Sequence, residues 1–426
     1  MNAEYIFTVL FLLLSSRANF LSYSSPSWFL AIIIMLWYSI DKKQLMMRDV
    51  KIFFVFSCVY LAFIFLRNVF YNHLSSTYVM SDVIFLFKYV LLTFVYCAVI
   101  KEKAMEYLVK VTLHFTYISF FFFSFQAVGL AHIIFNFSKA LDIPPRPGIP
   151  GYTNDIIFTL TLGRHDFRNS GFVWEPGAFG CFLVIILMLQ FFRNGFKFDK
   201  TVKIFIIGII TTFSTTDYIG LLILLFMVYR YRVPRLNIWV ILAIPAVVVL
   251  FTTIPILGQK ILATSNEDME GLDDMKNLSR YYLLHNQEIP LNRFASMSFL
   301  YDNLGSYLIM GLSNKYDEII NMKYNVNISN GIFDFFAKFG VLGMFYLLFE
   351  YGRFCLTYVR RYECMFYCIL ILMVLSFGEP ILFLPIVLMF IFAPYFNIEY
   401  LEIWNSEDEE EEDNEDDNNN LIPETI

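Results

Sequence analysis

Apolar runs of roughly 15 to 20 residues recur along almost the whole chain, and they constrain its fold more than any other feature. Soluble proteins carry about 25% charged residues. This chain is 58% hydrophobic and 16% charged. The runs therefore read as membrane spans rather than as the core of a soluble domain. The first apolar stretch has no basic leader and no small-residue cleavage site, so it is expected to be a retained span.

The expected fold is an all-α polytopic membrane protein with about twelve transmembrane helices. These fall near 4–20, 27–41, 52–71, 82–100, 111–137, 171–192, 204–216, 218–230, 237–255, 331–351, 363–377 and 381–396. The basic residues test that arrangement. Lys42, Lys43, Arg48 and Lys51 lie in one short link, and Lys101, Lys103 and Lys110 in another. Further groups are Arg193, Lys197, Lys200 and Lys203, then Arg230, Arg232 and Arg235, then Arg353, Arg360 and Arg361. All of these fall on one side, whereas the short links 21–26 and 72–81 on the other side carry none. The positive-inside rule makes the basic side cytoplasmic and places both termini there.

Residues 1–396 then form one membrane domain, and 397–426 form a cytoplasmic tail. The run "SEDEEEEDNEDD" (406–417) holds ten of the 38 acids, so 28 remain against 31 bases. The net charge of −7 is thus a property of the tail, which has the composition of a solvated, disordered end. The six cysteines fall in spans or at their inner ends. They form no disulfide framework or metal knuckle, and Cys364 and Cys368 read as packing residues.

Two long segments, about 138–170 and 256–330, are left outside. The first contains the stiff path "DIPPRPGIPGY". In the second, Phe294, Met297, Leu300, Leu304 and Leu308 repeat at spacings of three and four, which predicts a short amphipathic helix. Arginines in these loops are suited to phosphate, because the planar guanidinium binds its oxygens bidentately and stays charged.

The stretch "RNSGFVWEPGAFG" (168–180) opens the sixth span. Glu175 is expected near the helix N-cap. Pro176 is expected in the first turn, where no N–H is needed. Gly177 and Gly180, like Gly171, allow close approach of backbone or ligand. With the helix dipole behind them, Arg164 and Arg168 make a candidate anion seat. A structural cap with a Glu175–Arg168 ion pair accounts for the same residues equally well. Arg67, Lys88 and Lys338 lie in spans but are expected to snorkel to the outer surface. Glu379, in "FGEP", reads as a turn residue.

The stretch resembles the Arg…Gly…Glu-Pro-Gly segment of Wzy-type O-antigen and capsule polymerases and of the related O-antigen ligases. Over about 138–377 other features follow in the same order. "TTFSTTDYIGLLILL" is similar to the short polar link after the Glu-Pro-Gly helix. A large outer loop then carries Arg293, and its end, "NISNGIFDFFAKFGVLG", is similar to the family's re-entry into the membrane. Arg168 to Gly180 and Arg293 to Gly305 repeat one Arg…Gly spacing. Ligases of this superfamily carry a histidine at the re-entry, where this chain has Ser329 and Asn330.

The resemblance implies a glycosyltransferase of the bacterial cytoplasmic (inner) membrane, active on its periplasmic face. It joins a polyprenyl-diphosphate-linked glycan donor to an acceptor repeat unit on the same carrier. Arg164, Arg168, Arg280 and Arg293 would bind diphosphate. Glu175 or His285 would be the catalytic base, and Pro176, Gly177, Gly180 and Asn330 would shape the loops. Each well-placed donor is worth about 3 kcal/mol to the transition state. No cofactor or metal is expected, because the donor is already activated and "SNEDMEGLDD" matches no standard cation spacing. The implied partners are the two lipid-linked glycans and the bilayer, with a chain-length regulator and a flippase as candidates and no nucleic acid. O-antigen ligase, a lipid-linked glycan flippase or transporter, and a structural membrane subunit remain the alternatives.

Overall fold

The computed structural model describes residues 2–71, 76–140, 152–163, 167–233, 289–291, 293–314, 316 and 326–396. The expected ninth span, the acidic tail and much of the second outer loop lie outside them. The described chain is mostly helical, as a lipid-facing backbone requires. Among the described residues, four helical runs are long and apolar enough to cross a membrane: Met47–Phe70, Ser76–Ala127, Pro176–Arg193 and Gly331–Val359. Four shorter apolar helices accompany them. The first half holds α1 (Ala3–Ser15), α2 (Phe20–Tyr23), α3 (Ser25–Asp41), α4 (Met47–Phe70), α5 (Ser76–Phe85), α6 (Leu91–Ile100), α7 (Ala104–Ala127) and α8 (Ala131–Ala140). A π-helical turn, Leu86–Val90, joins α5 to α6.

A hairpin of β1 (Tyr152–Asn154) and β2 (Thr159–Thr161) follows. The second half holds α9 (Pro176–Arg193), α10 (Lys200–Thr211), α11 (Thr215–Arg232), β3 (Ile289–Leu291), α12 (Arg293–Leu304), β4 (Val326–Ile328), α13 (Gly331–Val359), α14 (Tyr362–Gly378) and α15 (Pro385–Phe396). β3 and β4 pair in parallel, so the part of the second outer loop between them is closed at its base. Among the described residues, these short ladders are the one departure from all-α character.

Helix α9 is the axis of the bundle. Every residue from Pro176 to Phe192 is buried, and α7, α10, α11 and α14 pack around it. By contrast α4, with few buried residues, presents Phe54, Val59, Phe65 and Phe70 outward. An apolar surface of that size on one helix belongs against lipid.

Several expected boundaries move. The fifth span, 111–137, is two helices, because the chain turns at Gly129 (φ 78°) between α7 and α8. Span ten is interrupted rather than continuous. Gly340 takes φ 67° within α13, and the segment Ile309–Leu312 docks into the break. There Leu312 donates to the Ala337 carbonyl at 2.7 Å and Leu342 to that of Ile309 at 3.1 Å. The link between α10 and α11 lies at 212–214, three to five residues earlier than expected, with Phe213 at φ 49°.

The amphipathic helix is present as α12, but its face is rotated. Ala295, Phe299, Leu300 and Leu304 pack against Leu312, Tyr316 and Ala337, while Met297 is exposed. Snorkelling fails for two of the three span charges. Arg67 is 1% exposed, pairs with Asp82 and donates to the Lys338 carbonyl. Lys338 pairs with Asp334 at 2.8 Å. A buried charge that can pair gains more from its partner than from reaching toward the surface.

The expected basic side gathers at one end of the bundle. Arg230 there makes a two-pronged pair with Glu363, at 2.7 Å through each oxygen. Arg48 donates to the Tyr395 carbonyl, and Arg353 meets Glu350. A cavity of about 670 Å³ runs along α4 between Phe63 and Phe85 near one end and Arg48 and Lys51 near the other. Its walls are almost wholly apolar, and its length suits a hydrocarbon chain.

Candidate functional site

The Glu-Pro-Gly helix begins as the sequence predicts. Glu175 is the N-cap of α9, in extended backbone, and Pro176 is the first helical residue. The Glu175 side chain does not cap the helix. It accepts from Trp174 Nε1 at 2.7 Å and hydrogen-bonds the carboxyl of Glu379. The loop before it is stitched to its neighbours. Asn169 N donates to the Thr211 carbonyl at 3.0 Å, and its side chain reaches Ser119 and Thr211. Arg168 Nε donates to the Thr212 carbonyl at 2.9 Å. Thr159 N, on the hairpin, donates to the Gly171 carbonyl at 2.7 Å.

The two glycines of the motif have definite tasks. A Cβ at Gly177 would stand 2.5 Å from Glu379 Oε1, and one at Gly180 would overlap the Asp217 carboxylate. Their hydrogens leave room for carboxyl groups arriving from α11 and from the link between α14 and α15. The matched glycine of the second Arg…Gly spacing behaves otherwise. Gly305, at φ 50°, has nothing within 4 Å of a built Cβ. The repeated spacing is therefore not a repeated structure.

Arg293 starts α12 and points into the same cluster. Its Nη2 lies 3.2 Å from Glu379 Oε1, and its Nε donates to the Gly378 carbonyl at 2.9 Å. Asn330 holds it there. The Asn330 side chain caps α13 by accepting from Ile332 N and Phe333 N, and it donates to the Arg293 carbonyl at 3.1 Å. Asn330 thus ties an arginine to the start of α13.

The cluster comprises Arg168, Arg293, Glu175, Glu379 and Asp217, brought together from two helices (α11 and α12) and two links. Asp217 is fully buried, beside Cys181 Sγ at 3.4 Å and Thr212 Oγ1 at 3.4 Å. Burial pushes the Glu379 carboxyl well above its ordinary range, and the neighbouring Glu175 pushes it further, while Arg293 opposes both. Burial lowers the Arg168 guanidinium, against the pull of Glu175, Asp217 and Glu379. Two hydrogen-bonded carboxyls beside two arginines can share one proton, accept a second, and hold an anion close by.

The sequence expectation named Glu175, Arg168, Arg293, Pro176, Gly177, Gly180 and Asn330, and the structure brings them to one end of the bundle. Arg164, Arg280 and His285 lie outside the described residues. Glu379 lies in the link between α14 and α15, as expected of a turn residue, but it is 4% exposed and central to the cluster. Asp217 was not anticipated. Its one signal was an acid in the first turn of a span, a costly position without partners. No family model, no curated protein and no solved structure matches the chain.

Proposed function

We propose that the chain is a membrane glycosyltransferase that polymerises polyprenyl-diphosphate-linked repeat units at the extracytoplasmic face of a bacterial cytoplasmic membrane. The observation that carries this reading is the convergence of Arg168 and Arg293 on the paired carboxyls Glu175 and Glu379. Transfer from a lipid diphosphate needs a cation for the leaving group and a base for the acceptor, held together in a water-poor site.

In this reading the arginines hold the donor's diphosphate. The acceptor hydroxyl oxygen attacks the anomeric carbon, and the bond from that carbon to the phosphate oxygen breaks. The bonding pair stays on the diphosphate, whose growing charge strengthens its attraction to both guanidiniums. The hydroxyl proton passes to Glu175. Burial pushes the Glu379 carboxyl up and so favours its protonated form, which makes Glu175 the better candidate to accept the proton. The base is thereby assigned to Glu175, with His285 left as an alternative in the second loop.

The surface glycan of a strain lacking the gene tests the reading. Chains of a single repeat support polymerase. Absence of attached glycan with long lipid-linked chains would indicate ligase, and repeats trapped on the carrier inside the cell would indicate a flippase.

A further inference from the structure

A second set of cations gathers near Trp174. Arg17 lies in the turn between α1 and α2, at φ 50°. Its guanidinium is 5.9 Å from the centre of the Trp174 ring and 5.1 Å from that of Phe383. Lys88 occupies the π-helical turn, with its ammonium 5.0 Å from the Trp28 ring and 5.6 Å from Tyr89. Lys338 Nζ sits 3.8 Å from the Phe383 ring. Arg17 and Lys88 are close enough to repel each other.

Lys338 has Asp334, but Arg17 and Lys88 have no carboxylate partner among the described residues. Both are partly buried. Two like charges, each partly withdrawn from water, are costly unless an anion joins them, and the rings offset only part of that cost. The π turn is a further mark, since single π turns collect at functional positions.

Helix α1 has 13 residues, so it is about 20 Å long, shorter than a hydrocarbon core of about 30 Å, and the chain turns at Arg17 shortly after it ends. The hairpin lies over this turn, where Tyr152 Oη donates to the Ala18 carbonyl at 3.1 Å. Trp174 then connects the two cation sets through Glu175, its Nε1 donating to that carboxylate at 2.7 Å.

We infer that Arg17 and Lys88, bordered by Lys338 and Phe383, form a second seat for the diphosphate of an isoprenoid carrier, distinct from the Arg168–Arg293 seat. This rests on the proposed polymerase, whose two substrates each bring a diphosphate, and it places Glu175 between them. Apolar continuity supports a lipid-borne ligand. Tyr89 stacks on Phe85 at 5.2 Å, and Phe85 and Phe339 line the hydrocarbon cavity along α4.

The test is native mass spectrometry of the full chain in nanodiscs, with farnesyl diphosphate as the probe. The unmodified protein should bind two probes. Arg17→Gln/Lys88→Gln should bind one, with the other site weakened at least tenfold, and Arg168→Gln/Arg293→Gln should keep the Arg17–Lys88 site. Arg17→Lys/Lys88→Arg should still bind two, which separates lost charge from lost fold. Undiminished binding to Arg17→Gln/Lys88→Gln would overturn the inference. So would equal competition by phosphatidylglycerol, which would make the seat one for bulk lipid headgroups. A null strain with normal long chains would defeat the polymerase reading while leaving the probe count as an independent result.

Discussion

Replacing Arg293 by glutamine removes the cation that opposes the upward push on Glu379, and the cost can be worked from the geometry. Breaking a fully buried pair costs about 3–5 kcal/mol, whereas exposed pairs are worth about 0–1 kcal/mol. This pair lies between those limits, because the Arg293 side chain is 40% exposed while that of Glu379 is 5% exposed. Glu379 can also escape an unpaired charge by keeping its proton. We expect a loss of about 1–2 kcal/mol at pH 8.

The sign of the pH dependence follows from linkage. Glu379 has a raised folded pKa, so its contribution is fully present below its unfolded value, about 4.5, and is lost as pH rises through the folded value. Removing Arg293 raises the folded value further. The penalty should therefore be small near pH 5 and grow toward pH 8. Adding Glu379→Gln should abolish both the penalty and its pH dependence. Tryptophan-fluorescence melts in detergent at the two pH values, taken on the single variants and the double variant, measure this. A penalty independent of pH, or one that Glu379→Gln leaves untouched, would refute the electrostatic coupling.

Gly180→Ala should lower the yield of folded protein, with an overpacking cost of about 1–3 kcal/mol, because its methyl group would meet the buried Asp217; size-exclusion profiles of solubilised membranes report it. Asn330→Ala should lose about 1 kcal/mol of capping together with the tie to Arg293. Asn330→Asp keeps an acceptor for the cap but loses the donor, so it should melt close to wild type yet extend chains poorly. Deleting 406–417 should leave glycan length unchanged on a stained gel.

Local signals made part of this molecule legible in the sequence. Pro176 after Glu175, at the start of an apolar run, sets the beginning of α9, and glycines every third position predict a close neighbour there. The sequence does not say who that neighbour is. Asp217 and Glu379 arrive from distant helices, and a carboxylate in "FGEP" has the composition of any turn. Arg67 and Lys88 looked alike as charges in spans. One has Asp82 as a long-range partner and the other has aromatic rings, and neither fact lies in the neighbouring residues. The breaks at Gly129 and Gly340 were hidden because the flanking segments stay apolar enough on average to read as one span, despite Gln126, His132 and Lys338. Where an interrupted helix is repaired by a segment such as Ile309–Leu312, hydropathy alone reads it as continuous.

The central claim is that Arg168 and Arg293 act together on the diphosphate of a lipid-linked glycan. Its most direct test is the length distribution of surface glycan from a deletion strain carrying Arg168→Ala or Arg293→Ala at membrane levels matched to wild type. The account predicts single-repeat chains from each variant. A full-length ladder from both would contradict it.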